Sequence, residues 1–182
     1  SAKHEYENNV RIAAAVRSGE LTAFNEVFER HFDKMHRFMS NLCKDEDRAT
    51  DLVQETFIRL WRCRDGIKPD KGLRNYLYTI LLNIYRDEQR CQRISYIPVD
   101  TIEEFAGRGD AHDDGEQPSP LVSALRDCLS EFSDDDRAML FLVKTSDMTY
   151  QEVAGIYGVH ARTIRRRIDG MIDAICRKMR GD

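Results

Sequence analysis

The chain has 182 residues, 28 of them basic and 32 acidic, for a formal net charge of −4, and that length suffices for one large or two small domains, each with its own core. No apolar run approaches the roughly 18 residues of a membrane span, no charged-then-apolar leader opens the chain, and the N-terminal residues read as polar. Five cysteines stand singly at Cys43, Cys63, Cys91, Cys128 and Cys176 without a Cys-x-x-Cys pair, so neither a zinc site nor a disulfide framework is expected, and the expectation is a cytoplasmic protein with reduced thiols and no cofactor.

Taken in chain order, helices are predicted from about Tyr6 to Ser18, closed by Gly19, and from Leu21 to Cys43. In the second, Leu21, Phe24, Val27, Phe28, Met35, Phe38, Met39 and Leu42 form a helical apolar stripe. A third helix is predicted from Glu46 to Arg64. Wound at about 3.6 residues per turn, its Val53, Phe57, Leu60 and Trp61 make a core face, and Asp51, Gln54, Glu55, Ile58 and Arg62 occupy the opposite side. A solvated amphipathic helix accounts for the charges but not for Ile58. Acids around one exposed apolar anchor suit a docking surface for a basic partner helix.

A polar loop, with Lys68 and Lys71, then leads to a fourth helix from Gly72 to Arg93. It interleaves Tyr76, Tyr78 and Tyr85 with Arg74, Asn75, Asn83 and Arg86. Unstacked bases need π-faces and phosphates need positive charge, so this pattern suits single-stranded nucleic acid. The plain alternative is that tyrosines at helical spacing are partly buried core.

From Val99 to Pro118 there are seven acidic residues against Arg108, a local net of −6, with glycines and prolines and few apolar residues. That is a linker. After it, Ser119-Pro120 reads as an N-cap with proline at the first helical position, opening a helix to Glu131, and Ser133 with Asp136 opens another to Lys144. No segment alternates at period two. The expected fold is therefore all-α, with two small helical domains (residues 1–96 and 120–182) joined by an acidic flexible linker (97–119).

The last third carries a helix-turn-helix pattern. Thr149 with Glu152 is a capping box, Gly158 sits where a helix ends in a left-handed residue, and a second helix starts near His160. Ile164, Ile168, Met171 and Ile175 fall on its buried stripe, and Arg162, Arg165 and Arg166 point elsewhere. In such motifs the second helix enters the major groove, where Arg pairs bidentately with guanine. A solvated basic helix in an ordinary bundle would look similar. Two basic stretches, Arg59 to Arg93 and His160 to Arg180, each carry a local net of +5 on either side of the acidic linker. This map fits two nucleic-acid contacts joined by a strap.

Asp51-Leu-Val-Gln-Glu-Thr-Phe57, then Leu77-Tyr-Thr-Ile80 with Asn83 and Asp87, then the Thr149 to Ile168 helix-turn-helix resemble in order and spacing the extracytoplasmic-function (ECF) sigma factors of bacterial RNA polymerase. The resemblance runs from about Leu21 to Met179. It implies a non-enzymatic subunit that brings core polymerase to promoters and helps to melt them. By position, Asp51, Gln54, Glu55, Ile58 and Arg62 would meet the clamp helices of core RNA polymerase. Lys68, Lys71, Arg74, Asn75, Tyr76, Tyr78, Asn83 and Arg86 would hold the flipped base and non-template strand of the −10 element. His160, Ala161, Arg162, Thr163, Arg165, Arg166 and Arg167 would read the −35 element. The resemblance further implies a cognate anti-sigma factor, a monomer when free of polymerase, and no catalytic or metal site. Departures from the family pattern are Tyr76 in place of tryptophan, Leu73 in place of phenylalanine, and His160 in place of the serine that caps the recognition helix. They leave the promoter sequence open. The alternative reading is a conventional helix-turn-helix regulator with an N-terminal dimerisation or sensing bundle, which would bind duplex operator alone. A recombinase lacks its cluster of catalytic arginines here.

Overall fold

A computed structural model of the chain describes residues 2–95 and 119–181, in which all regular structure is helical. Apart from Ser119, the predicted linker lies outside the described residues. The chain divides into two compact units, Ser1–Gly109 and Asp110–Asp182.

The first unit contains α1 (Ala2–Arg17), α2 (Leu21–Cys43), α3 (Glu46–Arg62) and α4 (Leu73–Ser95), with two 3-10 turns, Arg64–Gly66 and Pro69–Lys71, between α3 and α4. Gly19 closes α1 at φ +88°, a conformation that a Cβ penalises and glycine does not. α2 stops as predicted, with Lys44 left-handed and its amide returned to the Ser40 carbonyl at 2.8 Å. Asp45 caps α3 by accepting from the Arg48 amide at 3.0 Å, and Glu46 and Asp47 add negative charge to the first turn, where the helix dipole favours it. The core joins Ile12 and Val16 of α1 to Met35, Phe38 and Met39 of α2, Val53 and Leu60 of α3, and Leu77 and Leu81 of α4. α3 ends two residues earlier than its predicted limit of Arg64. The Cys63 amide still reaches Arg59, but the chain then tightens into a 3-10 turn in which the Arg64 side chain folds back on Trp61.

The second unit contains α5 (Pro120–Ser130), α6 (Asp134–Lys144), α7 (Tyr150–Tyr157) and α8 (Ala161–Arg180). Each predicted start carries its predicted cap. Ser119 accepts from the Val122 amide at 3.4 Å, Ser133 from Asp136 at 3.2 Å, and Thr149 and Glu152 close a reciprocal box. Gly158 takes φ +65°, the left-handed residue that ends α7. Ile164 and Ile168 are fully buried and Met171 nearly so, with Ile175 half-buried at the end of the stripe. They pack against Met139 and Leu142 of α6, Val153 and Ala154 of α7, and Cys128 of α5 in one small core. Among the described residues no helix is long and apolar enough to cross a membrane, and no cluster of His, Cys, Asp and Glu could hold a metal ion.

Candidate functional site

Three surfaces collect the polar residues singled out above. On α3, Asp51, Gln54, Ile58 and Arg62 are exposed and Glu55 is half-exposed. Ile58 is 45 % exposed, and it is not isolated. It forms one wall of a groove of about 470 Å³ between α2 and α3, lined also by Leu21, Phe24, Phe28, Phe57, Trp61, Gln54 and Arg62. The aromatic floor is ordered by edge contacts, Phe24 to Trp61 at 5.1 Å and Phe28 to Phe57 at 4.8 Å. A contiguous apolar patch of this kind, rimmed by charge, is uncommon on a free surface. The Glu55 carboxylate accepts from Arg59 Nε at 2.9 Å, so part of its charge is offset within its own helix. Sequence reasoning placed Leu21, Phe24 and Phe28 on the apolar stripe of α2 and missed the groove. The available signal was that this stripe is wider than one partner helix can cover.

The second surface is the loop between α3 and α4 with the start of α4. Ile67 and Leu73 are buried and pin the loop, leaving Lys68 and Lys71 exposed on its outer side. Tyr76 is half-buried with its hydroxyl 3.6 Å from where a Cβ on Gly66 would stand. Burial pushes its phenol above the usual range, with the Cys63 thiol as a smaller contribution. Asn83 is exposed, and Arg74, Asn75 and Arg86 are half-buried.

Tyr78 requires a correction. It is 2 % exposed and packs edge-on to Phe38, with ring centroids 5.3 Å apart, so it belongs to the core and cannot reach a nucleic-acid strand. Tyr85 is buried likewise, under the Arg48 guanidinium at 5.6 Å. The physical reason is register: positions 77, 78, 81, 82 and 85 share the inner face of α4, whereas 76, 79, 83 and 86 run along its flank.

Arg74 also acts inward. His31 of α2 has its pKa lowered to about 4, first by burial and then by Arg74, Lys34 and Arg30. The imidazole is therefore neutral near pH 7, and the three cations keep this flank positive.

The third surface is the turn between α7 and α8 with the first turns of α8. His160 takes extended backbone at the N-cap, its carbonyl accepts from the Thr163 amide at 2.9 Å, and its side chain makes no capping bond. The exposed imidazole is thus not committed to the helix. Arg162, Thr163 and Arg166 are exposed at spacings of three and four, on one face, with Ala161 half-buried beside them. Arg165 lies 3.9 Å from Asp169, a loose pair within α8. Arg167 also reaches across to α6: its guanidinium lies 2.8 Å from an Asp136 oxygen, and its side chain is 46 % exposed. Val159, 41 % exposed in the turn, was not singled out from sequence. An apolar side chain at that place can meet a thymine methyl.

Residues 27–94 match Sigma-70 region 2. Over 140 residues the chain is 31 % identical to the ECF RNA polymerase sigma factor EcfG of Rhodopseudomonas palustris, covering 74 % of this chain and 73 % of that protein. The fold is similar to that of CnrH, solved in complex with the cytosolic domain of CnrY, with a TM-score of 0.71 and 21 % identity over 96 % of this chain and 98 % of that one. It is also similar to the sigma factor RpoE, solved in complex with the anti-sigma factor NepR from Bartonella quintana, with a TM-score of 0.65 and 21 % identity over 87 % of this chain and 98 % of that one. The chain belongs to the ECF sigma factors, alternative sigma factors that direct RNA polymerase to initiate transcription at promoters.

Proposed function

We propose that the three surfaces divide the work of initiation. The α3 face of Asp51, Gln54, Glu55, Ile58 and Arg62, with the adjoining groove, docks the clamp helices of core polymerase. The observation that carries this reading is Ile58, 45 % exposed on an acidic face and continuous with an apolar groove. Apolar contact supplies affinity there, and the acids select a basic partner.

The loop carrying Lys68 and Lys71, with Arg74, Asn75, Tyr76, Asn83 and Arg86, takes the opened −10 strand. Exposed lysines suit phosphates, and the half-buried Tyr76 offers a ring face to an unstacked base. His160, Ala161, Arg162, Thr163, Arg165 and Arg166 read the −35 element in the major groove. The working domains are residues 1–96 and 120–182, with 97–119 as the connection. The protein acts in the cytoplasm as a monomer until it joins polymerase. The complex of RpoE with NepR supports a cognate anti-sigma factor for this chain as well.

Run-off transcription from a mixed promoter pool, with core polymerase alone and with core plus this protein, tests the reading. Discrete promoter-directed transcripts should depend on the protein. If the protein neither binds core nor yields such transcripts, or binds duplex promoter DNA tightly without core, the assignment of surfaces fails.

A further inference from the structure

We infer that Arg64 is a positioning residue for strand opening, holding the 63–72 loop in place between Trp61 on one side and the α1–α2 turn on the other. The inference rests on the reading that this loop receives the −10 strand. A 3-10 turn of three residues has too few hydrogen bonds to persist alone, so what fixes it must be tertiary. Within the loop only short-range backbone bonds close the turns: the Gly66 amide to the Cys63 carbonyl at 3.0 Å, Ile67 to Arg64 at 3.0 Å, and Lys71 to Lys68 at 3.0 Å.

Buried Ile67 and Leu73 pin the middle and far end of the loop, and Arg64 holds its start. Its guanidinium lies 4.5 Å over the Trp61 ring, and its Nη1 donates to the Trp61 carbonyl at 2.8 Å. Trp61 is itself fixed by Phe24. On the other side, a Cβ at Gly19 would stand 3.6 Å from Arg64 Nε, ordinary van der Waals contact, so the α1–α2 turn runs beside the guanidinium, and its corner is glycine because φ there is +88°. α1 packs along both 3-10 turns, and the Tyr6 hydroxyl stands 3.5 Å from the Asp70 carbonyl, a long contact at the far end of the loop. The guanidinium thus stacks on a rigid aromatic and bonds the carbonyl at the end of α3, with the α1–α2 turn beside it. Planarity and several donors let arginine do this where lysine cannot.

The consequence is specific to the strand-opening step. Groups that must meet a flipped base are useful only if held to within a fraction of an ångström, and misplacement by about 1 Å can lower a rate by up to about 100-fold. The test uses holoenzyme assembled from core polymerase and the full chain carrying Arg64→Ala, Arg64→Lys or the pair Lys68→Ala and Lys71→Ala. Core affinity is measured by titration, opening by the fluorescence of 2-aminopurine placed in the −10 non-template strand, and loop order by amide exchange at Gly66 and Ile67.

Arg64→Ala should leave core affinity within about twofold, speed exchange of both amides, and slow opening by about tenfold. Arg64→Lys should recover less than half of that loss, since the flat stack is gone while the charge remains. If Arg64→Ala fails to fold, the lysine variant carries the same comparison. Unchanged opening and unchanged exchange in the arginine variants would overturn the inference. Wild-type opening in the double lysine variant would instead overturn the reading of the loop as the −10 surface, whatever Arg64 does.

Discussion

Arg167 of α8 and Asp136 of α6 approach to 2.8 Å, joining the basic helix to the first turn of a helix it packs on. Asp136 lies where the α6 dipole favours a carboxylate, and its side chain is 24 % exposed against 46 % for Arg167. A pair this open contributes little. Arg167→Ala should lower the stability of the second unit by about 0.5–1 kcal/mol and weaken all promoters alike. Arg166→Ala, on the open face, should leave the melting curve unchanged and cost about 1–3 kcal/mol at a single −35 position if it pairs with a base. Transcription of a promoter library beside melting curves checks both. A shift in preference at one −35 position on losing Arg167 would show that it reads a base as well.

Tyr76 and Tyr78 are two residues apart and should behave as different kinds of residue. Tyr78→Ala removes a buried ring against Phe38, so the first unit should lose about 3–5 kcal/mol, read as a fall in denaturant midpoint. Tyr76→Ala should cost about 1 kcal/mol or less while lowering promoter opening severalfold. If Tyr76→Ala opens promoters normally, the ring is packing only and the flipped base is held elsewhere.

These contrasts mark what was legible in the sequence. Helix starts at Ser119, Ser133 and Thr149 depend on a side chain bonding an amide three residues on, and such local bonds leave a local signature. The buried stripe of α8 was equally plain, because four apolar residues at steps of four, three and four admit one face. The Tyr76/Tyr78 distinction was not. They stand about 200° apart on α4, and the sequence pattern of tyrosines among cations did not say which side faces the core. The groove between Phe24, Phe28, Ile58 and Trp61 belongs to two helices at once, so neither stripe reveals where its cover ends. Arg167–Asp136 and Lys178–Glu131 likewise join residues far apart in sequence.

His31 sets a pH dependence of stability. Its folded pKa, about 4, lies below the ordinary 6.5, so the unfolded chain binds the extra proton between those values. Stability of the first unit should therefore be fully present above about pH 6.5, decline as the pH falls towards 4, and level off below it, by on the order of 2–3 kcal/mol from this group. His31→Gln removes the titration and should flatten that part of the profile, measured by denaturant melts from pH 7 to 4. An unchanged slope would place the cause in other groups.

The docking face gives the sharpest test, because affinity and fold separate there. Ile58 is exposed, so Ile58→Ala should change the stability of the free protein by less than about 0.5 kcal/mol. If Ile58 is buried on assembly, the same change should weaken core binding by about 1–2 kcal/mol, roughly a tenfold rise in Kd. Asp51→Lys with Glu55→Lys sets like charge against a basic partner and should weaken binding further, with a smaller loss at high salt, since screening reduces repulsion between exposed charges. Glu55→Lys also ends its pair with Arg59, so the single Asp51→Lys separates the effect on the partner from that within α3. The measurement is titration of labelled protein with core polymerase at two salt concentrations, beside a melting curve for each variant. Folded variants that bind core as wild type does would move the docking surface off α3 and leave the groove between α2 and α3 for some other partner.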